Sequence, residues 1–343
     1  MKITPEETYK LEMIAADLLE NNQGILAIDE GPDNFGKKLH SRNIANTKAN
    51  REKFREILFK SAEEMKGIVK GIILHEETFK QTIKFSDGKK EKVPEYLEKK
   101  GFYLGIKVDG GLKETKNKEY LSKGIKKLEK KFKSGHYENC KFAKWRVVFK
   151  IDSKSPSFRN LEKNCGTLSE YARICHKYGK VPIIEPEILL SGDYNVKENT
   201  ETSKIIFSHL FYHLNLKGVN ISACLLKVGF NTAGSENTEE LSASDTAMKT
   251  LRTLMSSVPI ILPGVVFLSG GRTSEDSFKL LNSINEKSRL LCKNKFSFSF
   301  GRALTDNALN NFDPVNLDEK KVMEAFKKDL EKAKLAMEGK LGD

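Results

Sequence analysis

Short apolar runs alternate along the chain with longer stretches whose apolar residues fall at helical spacing. The runs are GILAIDE from Gly24, VKGIILHEE from Val69, GFYLGIKVD from Gly101 and FAKWRVVFKI from Phe142. They continue with KVPIIEPEIL from Lys180, SACLLKVGF from Ser222, IILPGVVFLSG from Ile260 and FSFSFGRAL from Phe296. Their starts are about 39 residues apart on average, and a helical pattern fills each gap, so the pattern predicts βα units with parallel strands. The runs are nearly continuous in apolar residues, as strands buried on both faces require. Eight such units close into an α/β (β/α)8 TIM barrel.

Helix signals fit this frame. Thr4-Pro5-Glu6-Glu7 carries a capping threonine, a first-turn proline and a glutamate at the third helical position, which together form a capping box. The helix it opens precedes the first strand and is expected to close the barrel bottom. A second helix is predicted from about Asn46 to Met65, and a last one from Asp318 to about Glu338. The lysine-rich stretch from Lys116 to His136 reads as a helix with a basic, solvated outer face. No linker or low-complexity tract interrupts the pattern, so residues 1–343 are expected to form one domain.

Composition narrows the class. The 343 residues are 38% hydrophobic and 31% charged, with a net charge of +12, an ordinary balance for a soluble globular chain whose surface attracts anions. Aromatics are not interleaved with the lysines as stacking platforms, so no specific nucleic-acid partner is expected. The longest apolar run, Val258 to Leu268, is interrupted by prolines and too short to span a bilayer. The N-terminus is charged and lacks an apolar signal region. Five scattered cysteines suit free thiols, and the expected location is cytoplasmic. With no Walker loop and no GxGxxG, no nucleotide cofactor is expected. His209 and His213 in SHLFYHL have the i, i+4 spacing of metal ligands, but lack the HExxH glutamate and lie in an apolar helical run; they read as structural.

Barrel enzymes place their chemistry at the carboxyl ends of the strands, and here those ends carry an unusual number of charges. The first strand ends in Asp29 and Glu30, the third in Lys107 and Asp109. The fourth carries Lys144 and Arg146, the fifth Glu185 and Glu187, and the sixth Lys227. Ser269-Gly270-Gly271 follows the seventh strand and Gly301-Arg302 the eighth. Charges inside apolar strands are costly unless paired or functional. A single ion-pair network explains any one of them; several lysines and carboxylates converging on one mouth point to a site. Lys227 is the sharpest case, because burial and neighbouring cations favour a neutral, nucleophilic amine. Glycine-rich turns after strands seven and eight, one with an arginine, match the usual barrel phosphate site.

The stretches GILAIDE, GIKVD, FAKWR, VPIIEPEIL, FLSGG and SFGRAL, in this order and each at a strand, resemble the eukaryotic class I fructose-1,6-bisphosphate aldolases. The resemblance runs from about Thr4 to Gly339. It implies that Lys227 forms an imine with the substrate ketone, that Glu185 shuttles protons with support from Glu187, and that Asp29 acts on the C4 hydroxyl. It implies that Lys144 helps hold these carboxylates ionised and that Ser269, Gly270, Gly301 and Arg302 hold the C1 phosphate. Lys107, with Lys38 or Arg146, would address the C6 end. The implied reaction is the reversible glycolytic cleavage of fructose 1,6-bisphosphate to dihydroxyacetone phosphate and glyceraldehyde 3-phosphate, with no metal and no cofactor. A homotetramer and acidic or cytoskeletal partners are implied as well. A transaldolase-like Schiff-base barrel and a scaffold for acidic partners are the alternatives. The chain departs from the family at Gly31-Pro32-Asp33-Asn34, at Lys38, at Val228-Gly229 and at Phe300. It also stops at Gly342-Asp343 without the family's tyrosine-ended tail, which leads one to expect slow turnover or another proton donor.

Overall fold

The structure is a computed structural model that describes residues 4–85 and 87–342. Eight parallel strands close into a barrel: β1 (Gly24–Ile28), β2 (Val69–Leu74), β3 (Tyr103–Lys107), β4 (Cys140–Phe149), β5 (Val181–Ile188), β6 (Leu225–Val228), β7 (Gly264–Phe267) and β8 (Lys295–Phe300). Each pairs with its neighbours in the chain, and β1 closes the ring on β8 through Ile25–Ser299 and Leu26–Phe300. Every run singled out in the sequence overlaps one of these strands, although β4 begins two residues before its run and β8 one residue before. Closure leaves no free sheet edge, so the ladder hydrogen bonds are satisfied within the barrel.

The helices are α1 (Pro5–Asp17), α2 (Pro32–His40), α3 (Lys48–Lys60), α4 (Ile125–Lys133), α5 (Phe158–Lys177), α6 (Val196–Leu216), α7 (Ala243–Ser257), α8 (Ser274–Leu291), α9 (Arg302–Asn310) and α10 (Glu319–Met337), with shorter turns between. α1 starts as its sequence predicts. Thr4 accepts from the Glu7 N–H, and the Glu7 carboxylate accepts from the Thr4 N–H, a cap of about 1 kcal/mol. Leu11 and Ala15 of α1 join Ile25, Ala27, Ile73, Phe142, Ile183, Leu225 and Val266 in one buried cluster. The helix therefore seals the amino-terminal end of the barrel, whose interior is packed with side chains. Phe142 fills the space that Gly105 leaves open, since a Cβ at Gly105 would lie 2.1 Å from its ring.

Two expectations need correction. The lysine-rich stretch is not one helix. Leu112–Glu114 pairs antiparallel with Tyr120–Ser122, and helix α4 begins only at Ile125. Gly124, with φ of 106°, reverses the chain between them as few other residues can. The helix expected from about Asn46 to Met65 is shorter and broken. Thr47 caps α3 at its start, and Ser61 separates it from the turn Ala62–Met65. Among the described residues, no helix is long and apolar enough to cross a membrane.

Candidate active site

All twelve residues singled out for catalysis or substrate binding line one cavity of about 500 Å³ at the carboxyl end of the barrel. They come from β1, β3, β4, β5, β6, helix α2 and the turns after β7 and β8, so only the closed barrel brings them together. Lys144 and Arg146 are not at a strand end, as the sequence suggested. β4 runs on to Phe149, and the two side chains emerge from its middle. They reach the mouth because β4 is staggered: Lys144 is level with Lys107 at the end of β3, and Arg146 with Glu185 on β5.

The centre of the site is a buried chain of alternating charges. Lys144 Nζ lies 2.6 Å from Asp29 Oδ2 and 3.1 Å from Glu185 Oε2. Lys227 Nζ lies 3.3 Å from Glu185 Oε1. Asp29, Lys144, Glu185 and Lys227 are all buried, each less than 9% exposed. Period-two alternation turns Glu185 and Glu187 to the same side of β5, and the Arg146 guanidinium pairs with Glu187.

Burial alone would favour neutral carboxyls here. Against it, the charges of Lys144, Lys227 and Lys107 hold the Asp29 carboxyl well below the ordinary value. Burial likewise opposes ionisation of Glu185, and Lys144, Lys227 and Arg146 together outweigh it and lower its pKa. Burial also disfavours the Lys144 ammonium, but Asp29 and Glu185 raise its pKa above the usual lysine value. Lys144 is therefore a fixed cation. Glu185 Oε2 has this ion pair but no aligned hydrogen bond among the described residues, which leaves it lone-pair capacity for a proton.

A second zone of the cavity offers donors for an anion. Gly270 and Gly271 take φ of 60° and 96°, the left-handed region that favours glycine. The Ser269 carbonyl accepts from the Arg272 N–H at 3.0 Å and closes the turn. Gly301 opens α9 where a Cβ would strike the Ala27 carbonyl oxygen at 2.7 Å. Arg302, the exposed first residue of α9, lies across from Gly271, its guanidinium nitrogens 3.7 Å from where a Cβ there would stand. Backbone N–H groups at a helix start beside an arginine make an anion cradle.

Two further cations of the cavity are paired with carboxylates. Lys107 lies 3.2 Å from Asp109, and Lys38 lies 2.9 Å from Glu30 and 3.1 Å from Asp306. Asp306 was not singled out from the sequence, nor was Ser299. Ser299 lines the cavity, and its buried hydroxyl has no partner among the described residues. The alternating pattern FSFSF marks a strand, but serine in such a pattern is ordinary, and Asp306 meets Lys38 across 268 residues of chain.

Comparison with known proteins places the chain in a family. The family model for class-I fructose-bisphosphate aldolase matches residues 10–343. A fructose-bisphosphate aldolase of Encephalitozoon cuniculi is 42% identical over 98% of this chain and 98% of its own. Fructose-bisphosphate aldolase B of Gallus gallus is 36% identical over 98% of this chain and 92% of its own. The structure of a Plasmodium falciparum fructose-bisphosphate aldolase, in complex with TRAP and a small-molecule inhibitor, superposes with a TM-score of 0.92 at 32% identity, covering 100% of this chain and 98% of that one. The chain belongs to the class-I fructose-bisphosphate aldolase family.

Proposed function

We propose that the cavity cleaves fructose 1,6-bisphosphate reversibly through an imine on Lys227, as a step of glycolysis and gluconeogenesis. The observation that carries this is the placement of the Lys227 amine 3.3 Å from a buried carboxylate that is itself tied to a fixed cation. The amine adds to the C2 ketone of the open-chain sugar, and Glu185 moves the protons that carbinolamine formation and loss of water require. The resulting iminium is the electron sink. Asp29 takes the proton of the C4 hydroxyl as the C3–C4 bond breaks, its electrons pass into the iminium as an enamine, and glyceraldehyde 3-phosphate leaves. Protonation at C3 and hydrolysis of the imine then return dihydroxyacetone phosphate and free Lys227.

Lys144 keeps Asp29 and Glu185 ionised and in place, and Glu187 fixes Arg146 beside them. Ser269, Gly270, Gly301 and Arg302 hold the C1 phosphate, while Lys107, Lys38 and Arg146 face the C6 end. The test is borohydride reduction in the presence of dihydroxyacetone phosphate, with peptide mass analysis. A reduced adduct on Lys227 that persists in EDTA supports the mechanism; an adduct on another lysine, or none, rejects it.

A second role at the same mouth is binding of acidic partner segments, favoured by the net charge of +12. Competition between an acidic peptide and the bisphosphate would show it.

A further inference from the structure

Away from the barrel mouth, helices α5 and α6 pack side by side in the outer layer, with Glu162 on the first and His209 and His213 on the second. One oxygen of Glu162 faces both rings: Oε1 lies 3.3 Å from His209 Nδ1 and 3.2 Å from His213 Nε2. One ligand atom from each of the three residues can be chosen so that all lie within 4.8 Å of one another. Two donors each about 2.1 Å from a tetrahedral zinc ion stand about 3.4 Å apart, so both observed separations, which also suit direct hydrogen bonds, fit ligands sharing one ion. The i, i+4 spacing puts the two imidazoles on one face of α6. The sequence offered this pair no carboxylate, because the carboxylate comes from a different helix, 47 residues earlier.

Two exposed aromatic rings flank the imidazoles. Phe158 meets the His209 ring edge-on at 5.8 Å, and Tyr212 meets that of His213 at 5.5 Å. Gly166, one turn after Glu162, lies beside His213: a Cβ there would stand 4.0 Å from Nδ1, in ordinary contact. Within each trio partner the exposure is partial, with side chains 14–38% accessible, so a hydrated ion can reach the site and shed water into solvent.

We infer that Glu162, His209 and His213 form a binding site for a borderline-soft divalent cation of the zinc class. Two nitrogens and one carboxylate oxygen suit zinc, nickel or copper and do not suit magnesium or calcium, which take all-oxygen shells. The fourth position of a tetrahedral ion would be filled by water. A bound ion would tie α5 to α6, the helices on either side of β5 in the chain. It would stabilise the barrel's outer layer without entering the cavity.

The experiment is titration of the metal-free full chain with zinc chloride against a chromophoric chelator, followed by thermal unfolding with and without zinc. One equivalent should bind, and the thermal midpoint should rise by about 3 °C at saturating zinc. His209→Ala, His213→Ala and Glu162→Gln should each weaken binding by at least about tenfold, and magnesium should not compete. No bound equivalent in the native chain, or binding that survives all three changes, overturns the site. Circular dichroism reports whether each variant folds, and if a histidine variant does not, the isosteric Glu162→Gln decides. Borohydride trapping on Lys227 should be the same with and without zinc, so failure of the metal site leaves the proposed reaction standing, and the reverse.

Discussion

Lys144 and Asp29 meet at 2.6 Å in the barrel mouth, both almost wholly buried. This pair joins the middle of β4 to the residue just past β1, and Glu185 on β5 completes the bridge. Removing the cation leaves the buried Asp29 without its ion-pair partner and Glu185 with Lys227 alone. Lys144→Met should therefore cost about 3–5 kcal/mol in urea unfolding at neutral pH and lower kcat by at least about a hundredfold. The pH dependence follows from the depressed pKa of Asp29. A carboxylate whose folded pKa is lowered contributes stability above its unfolded value, near about 4, and that contribution is lost as the pH falls through the folded value. The gap in stability between native chain and variant should be widest above about pH 5 and narrow in stronger acid.

Glu185→Gln removes the group that touches the Lys227 amine while keeping its shape. It should slow formation of the trapped imine by about 10²–10⁴-fold in single-turnover borohydride quenching, with substrate KM changing far less. An unchanged rate of imine formation would remove Glu185 from proton transfer.

Arg302→Ala should raise KM for phosphorylated substrates by about 10–100-fold, the loss of a charge-assisted hydrogen bond. Arg302→Lys should recover only part of this, because an ammonium cannot make the forked contact. Steady-state kinetics on fructose 1,6-bisphosphate checks both, and equal KM in all three proteins would place the phosphate elsewhere.

Lys38 is shared between Glu30 and Asp306, so its charge is largely spent before substrate arrives. Asp306→Asn should leave it paired with Glu30 alone and lower KM for fructose 1,6-bisphosphate by about threefold, on the scale of one partly exposed ion pair. KM for fructose 1-phosphate, which lacks the second phosphate, should stay unchanged. A parallel change for both sugars would show that Lys38 does not face the C6 end.

Asp329 on α10 shows the opposite titration. Burial pushes its carboxyl up to about 6, although Asn307 donates to both oxygens at 3.0 Å. Between about pH 4 and 6 the folded chain holds a proton that the unfolded chain has released, so stability falls as the pH rises through this window. Asp329→Asn should therefore stabilise the protein by about 1 kcal/mol at pH 8, after allowance for partial solvent screening, with no gain at pH 4. Denaturant titration at the two pH values measures it.

The barrel could be read from the chain because its strands are buried on both faces. The segments GIIL of β2 and VPIIEPEIL of β5 carry few polar residues, and those of the second, Glu185 and Glu187, are charges of the site. The hairpin joining Leu112–Glu114 to Tyr120–Ser122 was not legible. Its three-residue strands carry too few positions for alternation to show, and the surrounding lysines mimic a helix face. Lys227, Glu185 and Asp29 stand out because a charge in an apolar strand is an anomaly wherever it falls. Asp306 and Glu162 do not, because a carboxylate on an exposed helix is ordinary until folding brings it to Lys38 or to His213.

The helix that closes the amino-terminal end of the barrel has a kinetic consequence. With Leu11 and Ala15 packed against the strand interiors, the cavity is a cul-de-sac. A reaction that splits one sugar into two fragments there must empty through the opening that admitted it. In the proposed reaction the fragment held on Lys227 is tethered by its covalent bond, so the free aldehyde would depart first through that same opening.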